Sequence, residues 1–241
     1  SPVRRRGRVP RNAGTELARL DRNRAGGLGC VPRLVSELNG LPARSEVAML
    51  RIVIVGAGAI CDSNLEAFLK FQDRAQVVAL VDLYPEKAAE KAAKHGVRAN
   101  VHRELSEAIR SEGFEAASIC LPPFAHASAA VELLRAGKHV LVEKPMATCL
   151  AECDAMIEAA RASGTVLSVV AQNRFKTPMM KLRQLLASGA IGKILHAQVE
   201  SYWWRGGNYY DLWWRGTWEK EGGGCTMNHA VHHSDRDQGM M

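Results

Sequence analysis

The chain has 241 residues, 47% of them hydrophobic and 24% charged, which is enough to build a buried core and is the balance of a globular protein. Its net charge of +7 would suit an acidic partner, but residues 1–48 hold ten Arg against four acids, and the remaining 193 positions hold 22 basic against 21 acidic side chains. A nucleic-acid partner for the folded part is therefore not expected, and no run approaches the ~20 apolar residues of a membrane helix.

Residues 1–48 come first. They are rich in Arg, Gly and Pro, contain no Lys, and show neither a sustained period nor the apolar run of a secretory signal. They read as a disordered basic extension, or as spurious translation upstream of a natural start at Met49. The six cysteines (30, 61, 120, 149, 153 and 225) have neither zinc-finger nor disulfide spacing, which fits a reducing, cytoplasmic setting.

From Met49 onward, short apolar runs alternate with longer helical ones. Strands are predicted at 50–55, 76–81, 116–121, 138–143 and 165–170, and helices near 60–71, 85–95, 104–111, 125–136 and 148–162. Continuous apolar strands alternating with amphipathic helices predict an α/β fold, a Rossmann-type doubly wound parallel sheet, over 49–171. Its ligands would bind where the strands end.

After residue 171 the rhythm changes. Residues 177–188 predict a helix ended by Gly189, with Met179 and Met180 in its core. Residues 193–203 predict one long alternating strand, and an aromatic, glycine-rich stretch follows with all five Trp between 203 and 218. Residues 172–241 thus read as an incomplete α+β domain for substrate or oligomer contacts. A long strand with no sheet to join is unstable alone, so the chain reads as truncated or partner-dependent.

The run Gly56-Ala57-Gly58-Ala59-Ile60-Cys61 follows the first strand and opens a helix, the setting a dinucleotide loop requires. Gly56 permits the tight turn, and Gly58 lets the backbone approach a pyrophosphate at the helix N-terminus. Cys61 replaces the usual third glycine. Asp82, at the end of the second strand, can accept hydrogen bonds from both ribose hydroxyls and would repel a 2′-phosphate, so the expected cofactor is NAD rather than NADP. Its bland role would be a cap for the helix starting at Pro85.

Three further stretches carry a resemblance. Leu121-Pro122-Pro-Phe-Ala-His126 follows the strand at 116–121, and Glu143-Lys144-Pro145 ends the next. Trp214-Arg215 precedes Gly222-Gly-Gly224, then Asn228-His-Ala-Val-His232-His-Ser-Asp235. In this order they resemble the Gfo/Idh/MocA family, named for glucose–fructose oxidoreductase and inositol dehydrogenase, over about 49–235.

The resemblance implies an NAD-dependent dehydrogenase acting on a polyol, sugar or nucleotide-linked sugar, and a homo-oligomer if full length. It places Lys144 beside the nicotinamide and substrate hydroxyl and makes His232 the general base. Asn228 stands where many members have Asp, so it can orient a partner but cannot share a proton. Ala59, Ile60, Leu121, Pro122, His126, Glu143, Trp214 and Arg215 would line the cofactor, and Arg174 and Tyr210 would contact substrate. The histidines 229, 232 and 233 with Asp235 mimic a metal cluster, but hydride transfer to NAD needs no metal, and no metal site is predicted.

Overall fold

A computed structural model describes residues 48–200 and 202–238; the readings made of 1–47 lie outside the described residues. The compact unit begins at Met49. Its six strands are β1 (Leu50–Val55), β2 (Ala75–Val81), β3 (Asn100–His102), β4 (Ala116–Ile119), β5 (His139–Val142) and β6 (Leu167–Val169). They form one parallel sheet in the order β3-β2-β1-β4-β5-β6. The crossover helices are α1 (Ala59–Leu69), α2 (Pro85–Lys94), α3 (Leu105–Ser111), α4 (His126–Arg135) and α5 (Leu150–Ser163).

The two-residue period of the strands divides the core between the sheet's faces. Ile54, Val77 and Leu80 pack with Cys61 and Leu65 of α1 and with Ala88 and Ala92 of α2. Val53, Val55, Ile119 and Val142 pack on the opposite face with Ala108 of α3, Leu133 and Leu134 of α4 and Met156 of α5. β1 lies between β2 and β4, so the sequential order of the strands reverses beside it, and the loops after β1, β4 and β5 share one edge.

β3 was not predicted. Its three residues, Asn-Val-His, carry no apolar run, and the strand exists only because Asn100, Val101 and His102 find register with Ala79, Leu80 and Val81. Residues 193–203 depart from expectation in the other direction. No strand forms there among the described residues, and Leu195 and Tyr202 are 89% and 85% exposed. The alternating pattern is present, but among the described residues no neighbouring strand takes its backbone hydrogen bonds.

α6 (Thr177–Ala187) forms as predicted, yet it buries no residue, and Met180 is exposed rather than core. The rest of the described chain holds a 3-10 turn at Gly207–Tyr210 and helices α7 (Trp218–Glu221), α8 (Cys225–Asn228) and α9 (Val231–Gln238). α7 packs on the 3-10 turn Pro123–Ala125 that follows β4, which brings this stretch to the ligand edge of the sheet.

Gly56 has φ +103°, and a Cβ there would lie 2.8 Å from the carbonyl carbon and oxygen of Cys120. Gly56→Ala is expected to cost at least about 2 kcal/mol from backbone strain alone. That should appear as a fall of roughly 4–8 °C in thermal midpoint. An unchanged melting curve would mean that the β1 and β4 loops are not in close contact.

Candidate functional site

The nucleotide loop is built from the end of β1. Gly56 N–H donates to the Val81 carbonyl at 2.7 Å, which turns the chain toward β2. Gly58 then caps α1 with no side-chain hydrogen bond to the free N–H groups, and a Cβ on it would meet nothing within 4 Å. Protein packing therefore does not account for this glycine, whereas open space against bare helix N–H groups and the positive end of a helix suits a pyrophosphate.

Asp82 is tied to the same loop. Its Oδ2 accepts from Ala57 N–H at 2.7 Å and its Oδ1 from Tyr84 N–H at 2.9 Å, while Tyr84 rather than Asp82 caps α2. Each oxygen keeps a lone pair for a ribose hydroxyl. Cys61 is fully buried on α1, and burial pushes its thiol up to about 11, so it packs as a small apolar group. These residues fit a dinucleotide.

Glu143 is buried at the end of β5. It is 7% exposed and accepts from Asn64 Nδ2 at 3.2 Å, while Ser118 Oγ donates to Asn64 Oδ1 at 2.9 Å. The buried chain Ser118–Asn64–Glu143 joins β4, α1 and the end of β5, and Glu143 also accepts from Lys144 N–H at 3.3 Å. The Glu143 carboxylate is thereby tied to α1 and to the backbone of Lys144.

His126 is likewise enclosed. It is 1% exposed, with Nδ1 2.8 Å from the Pro145 carbonyl and Nε2 2.8 Å from the Leu121 carbonyl. Burial lowers its pKa against the pull of both carbonyls. The ring ties the loop after β4, containing Leu121 and Pro122, to the loop after β5.

Lys144 sits at the end of β5, and its Nζ donates to the Asn228 carbonyl at 3.0 Å. Burial lowers its pKa, Glu143 and Glu221 oppose the shift, and Arg215 and Arg205 add to it. The last segment reaches Lys144 because of the glycine run: Gly222 has φ +76°, and a Cβ there would lie 2.8 Å from the Cα and carbonyl oxygen of Thr148. No other residue type allows that approach.

Beside Lys144 is a cavity of about 170 Å³ lined by Tyr209, Tyr210, Trp218, Glu221, Asn228 and His229 among others. Glu221 is 6% exposed and is held by Gly216 N–H at 2.7 Å, Asn228 Nδ2 at 2.6 Å and Arg215 Nη1 at 3.5 Å. The Tyr209 hydroxyl accepts from Arg215 and, at 3.2 Å, from Asn228 Nδ2. Arg215 also covers the rings of Tyr209 and Trp214, at 4.1 and 4.4 Å from their centres. Trp214 and Arg215 thus brace the cavity wall.

Tyr210 lines the cavity, whereas Arg174 pairs with a carboxylate. Its Nε lies 3.0 and 2.8 Å from the two carboxylate oxygens of Asp235, and the pair fastens the turn Gln172–Phe175 to α9. A guanidinium spent on a bidentate carboxylate positions its helix. That helix carries His232, 8% exposed and four residues on from Asn228. Tyr209, Glu221, His229 and Arg205 do not stand out as site residues in the sequence; the place of Glu221 directly before the glycine run is the one readable hint.

The family model described as an oxidoreductase family with an NAD-binding Rossmann fold matches residues 50–171, and the model of the GFO/IDH/MocA C-terminal domain matches 179–236. The chain belongs to the Gfo/Idh/MocA family. A 4-carboxy-2-hydroxymuconate-6-semialdehyde dehydrogenase from Sphingobium is 32% identical over 77% of this chain and 57% of its own length. A scyllo-inositol 2-dehydrogenase (NADP(+)) from Bacillus subtilis is 36% identical over 57% of this chain and 42% of its own length. The WlbA dehydrogenase from Bordetella pertussis, solved with NADH and UDP-GlcNAcA, superimposes with a TM-score of 0.76 at 32% identity, covering 80% of this chain and 55% of that one. The chain spans about half the length of these relatives.

For this Gfo/Idh/MocA member, the amide at 228 has a local reason. Asn228→Asp would place a second carboxylate at the 2.6 Å contact with buried Glu221. Two such groups cannot both ionise cheaply, so one carboxyl pKa rises above its unfolded value. Stability is then intact below the unfolded pKa and lost as pH rises through the folded one. The variant should melt several degrees below wild type at pH 8 and approach it near pH 4. An equal gap at both pH values would show that Asn228 and Glu221 are not paired.

Proposed function

We propose that this chain forms the cofactor site and part of the substrate site of an NAD(H)-dependent oxidoreductase, one that moves hydride between the nicotinamide and a hydroxyl-bearing carbon of a polyol, sugar or nucleotide-linked sugar. The observation that carries the reading is the Lys144 Nζ contact with Asn228: a lysine at the nucleotide edge of the sheet reaches the wall of the cavity. Bound NAD⁺ supplies the hydride acceptor. Lys144 donates to the substrate oxygen, and its lowered pKa lets it pass a proton on. His232, on the helix fastened by Arg174 and Asp235, takes the hydroxyl proton as the C–H bond gives up hydride and the C=O bond forms.

Asp82 supports NAD over NADP, since a 2′-phosphate would face its carboxylate. The Cys61 and Cys120 thiols are buried and free, and no described helix is long and apolar enough to cross a membrane, which supports a cytoplasmic location. A second reading, a nucleotide-binding chain that turns over substrate only with a partner or a further domain, is favoured by the exposure of Leu195, Tyr202 and Trp204. The same surface supports a homo-oligomer.

The test is NADH fluorescence with the 241-residue chain, followed by turnover on inositol and sugar panels. The proposal expects NADH binding below millimolar concentration and oxidation of at least one polyol. Lys144→Ala should lower kcat/KM by about 10²–10⁴ while NADH binding persists. In the oxidative direction the rate should rise with pH through a pKa below the ordinary lysine range. Unchanged NADH fluorescence would refute the cofactor site; binding without turnover would select the second reading.

A further inference from the structure

The buried chain Ser118–Asn64–Glu143 ends one residue from Lys144, and stability does not call for it. Asn64 is buried on α1 beside Cys61 and Leu65, which pack on the sheet, and Ser118 is buried on β4. Apolar side chains of similar shape would fill such places at little or no cost.

The amide at 64 has one orientation. Its Nδ2 donates to the Ile60 carbonyl at 3.2 Å and to Glu143 Oε1 at 3.2 Å, and its Oδ1 accepts from Ser118 Oγ at 2.9 Å. Turned over, the amide oxygen would face a carbonyl and a carboxylate, neither of which can donate. Ser118 and Ile60 therefore aim an N–H at the Glu143 carboxylate. Its other oxygen, Oε2, accepts from the Lys144 N–H at 3.3 Å.

The other titratable groups beside Glu143 are held neutral, since burial pushes the Cys120 thiol up and lowers the His126 pKa. Lys144 is the cation within its field. Burial lowers the Lys144 pKa, and the charged groups that act on it are Glu143, Arg215, Glu221 and Arg205. Of these four, Glu143 acts most strongly, and it opposes burial.

We propose that Asn64 is a positioning residue for the reaction: by donating to Glu143 it keeps that group a carboxylate beside Lys144, and so sets the pH range in which Lys144 hands over its proton. The inference rests on the oxidoreductase reading above for the use of that proton. Without the amide, a carboxyl group out of water binds a proton, and Lys144 loses the anion that favours its ammonium form.

The test is the pH dependence of Lys144 acetylation by acetic anhydride, read by peptide mass spectrometry on the 241-residue chain. The reagent takes the free amine, so the midpoint reports Lys144 without cofactor or substrate. Asn64→Leu and Glu143→Gln should each lower the midpoint by about one pH unit or more, which is about tenfold faster labelling below it. Ser118→Ala, which frees the amide to turn, should lower it by less. In the double variant Asn64→Leu with Glu143→Gln, the midpoint should fall no further than in Glu143→Gln alone, because Asn64 acts through that carboxylate. With a substrate that turns over, the pH limb of kcat/KM should move down with the midpoint.

A purely structural role for Asn64 gives the opposite sign. Loosened packing would expose Lys144 and raise its midpoint, since burial is what lowers it. An unmoved or raised midpoint in folded Asn64→Leu overturns the inference, as do additive shifts in the double variant. If Asn64→Leu does not fold, Ser118→Ala decides, and an unmoved midpoint there overturns the inference. A lowered midpoint with an unmoved pH limb of kcat/KM also overturns it, because Asn64 would then have no part in the reaction. Failure of the wild-type chain to bind NADH defeats the oxidoreductase reading, whereas NADH binding with an unmoved midpoint in the variants defeats the inference alone.

Discussion

Gly222 and Thr148 meet backbone to backbone, and the candidate site depends on that approach. Thr148 lies in the loop between Lys144 and α5, at the ligand edge of a sheet whose core is complete without the C-terminal segment. Gly222 ends α7, which packs on the turn after β4. With no side chain between them, the Asn228 carbonyl comes within 3.0 Å of Lys144 Nζ and Glu221 takes its place under Asn228. Without that approach, Lys144 would be a lysine at a strand end with its ammonium in water.

Two buried carboxylates then fix the polar groups on either side of the lysine. Glu143 is satisfied by Asn64 and the Lys144 N–H on the sheet side, and Glu221 by Asn228, Gly216 and Arg215 on the cavity side. Both are held by neutral amides, and Glu221 also by the Arg215 guanidinium, which suits groups taken out of water. The result is a lysine between two anions that it does not contact as an ion pair, close to two arginines. Burial outweighs the two anions, and the lysine pKa is lowered.

Much of the sheet was legible because its strands are continuous runs of Val, Ile and Leu, and the order strand, glycine turn, helix, acid has few other uses. β3 was not legible, since Asn100 and His102 are strand residues only through pairing with β2. The strand expected at 193–203 failed for the complementary reason: the pattern is there and, among the described residues, the partner strand is not. In the site, residue types and spacing singled out Lys144, Asn228 and Tyr210; Asn228 and Tyr210 line one cavity, and Lys144 donates to the Asn228 carbonyl. They could not show that Arg174 is committed to Asp235, that His126 is bracketed by two carbonyls, or that Glu221 is buried. Those are long-range pairings, and no local period encodes them.

Amide hydrogen exchange of the wild-type chain against Gly222→Val tests most directly whether the two family segments form one site. The account predicts that peptides covering 144–149 and 218–228 lose protection together while β1 and β4 keep theirs. Unchanged protection in both loops, or loss in 218–228 alone, would contradict it.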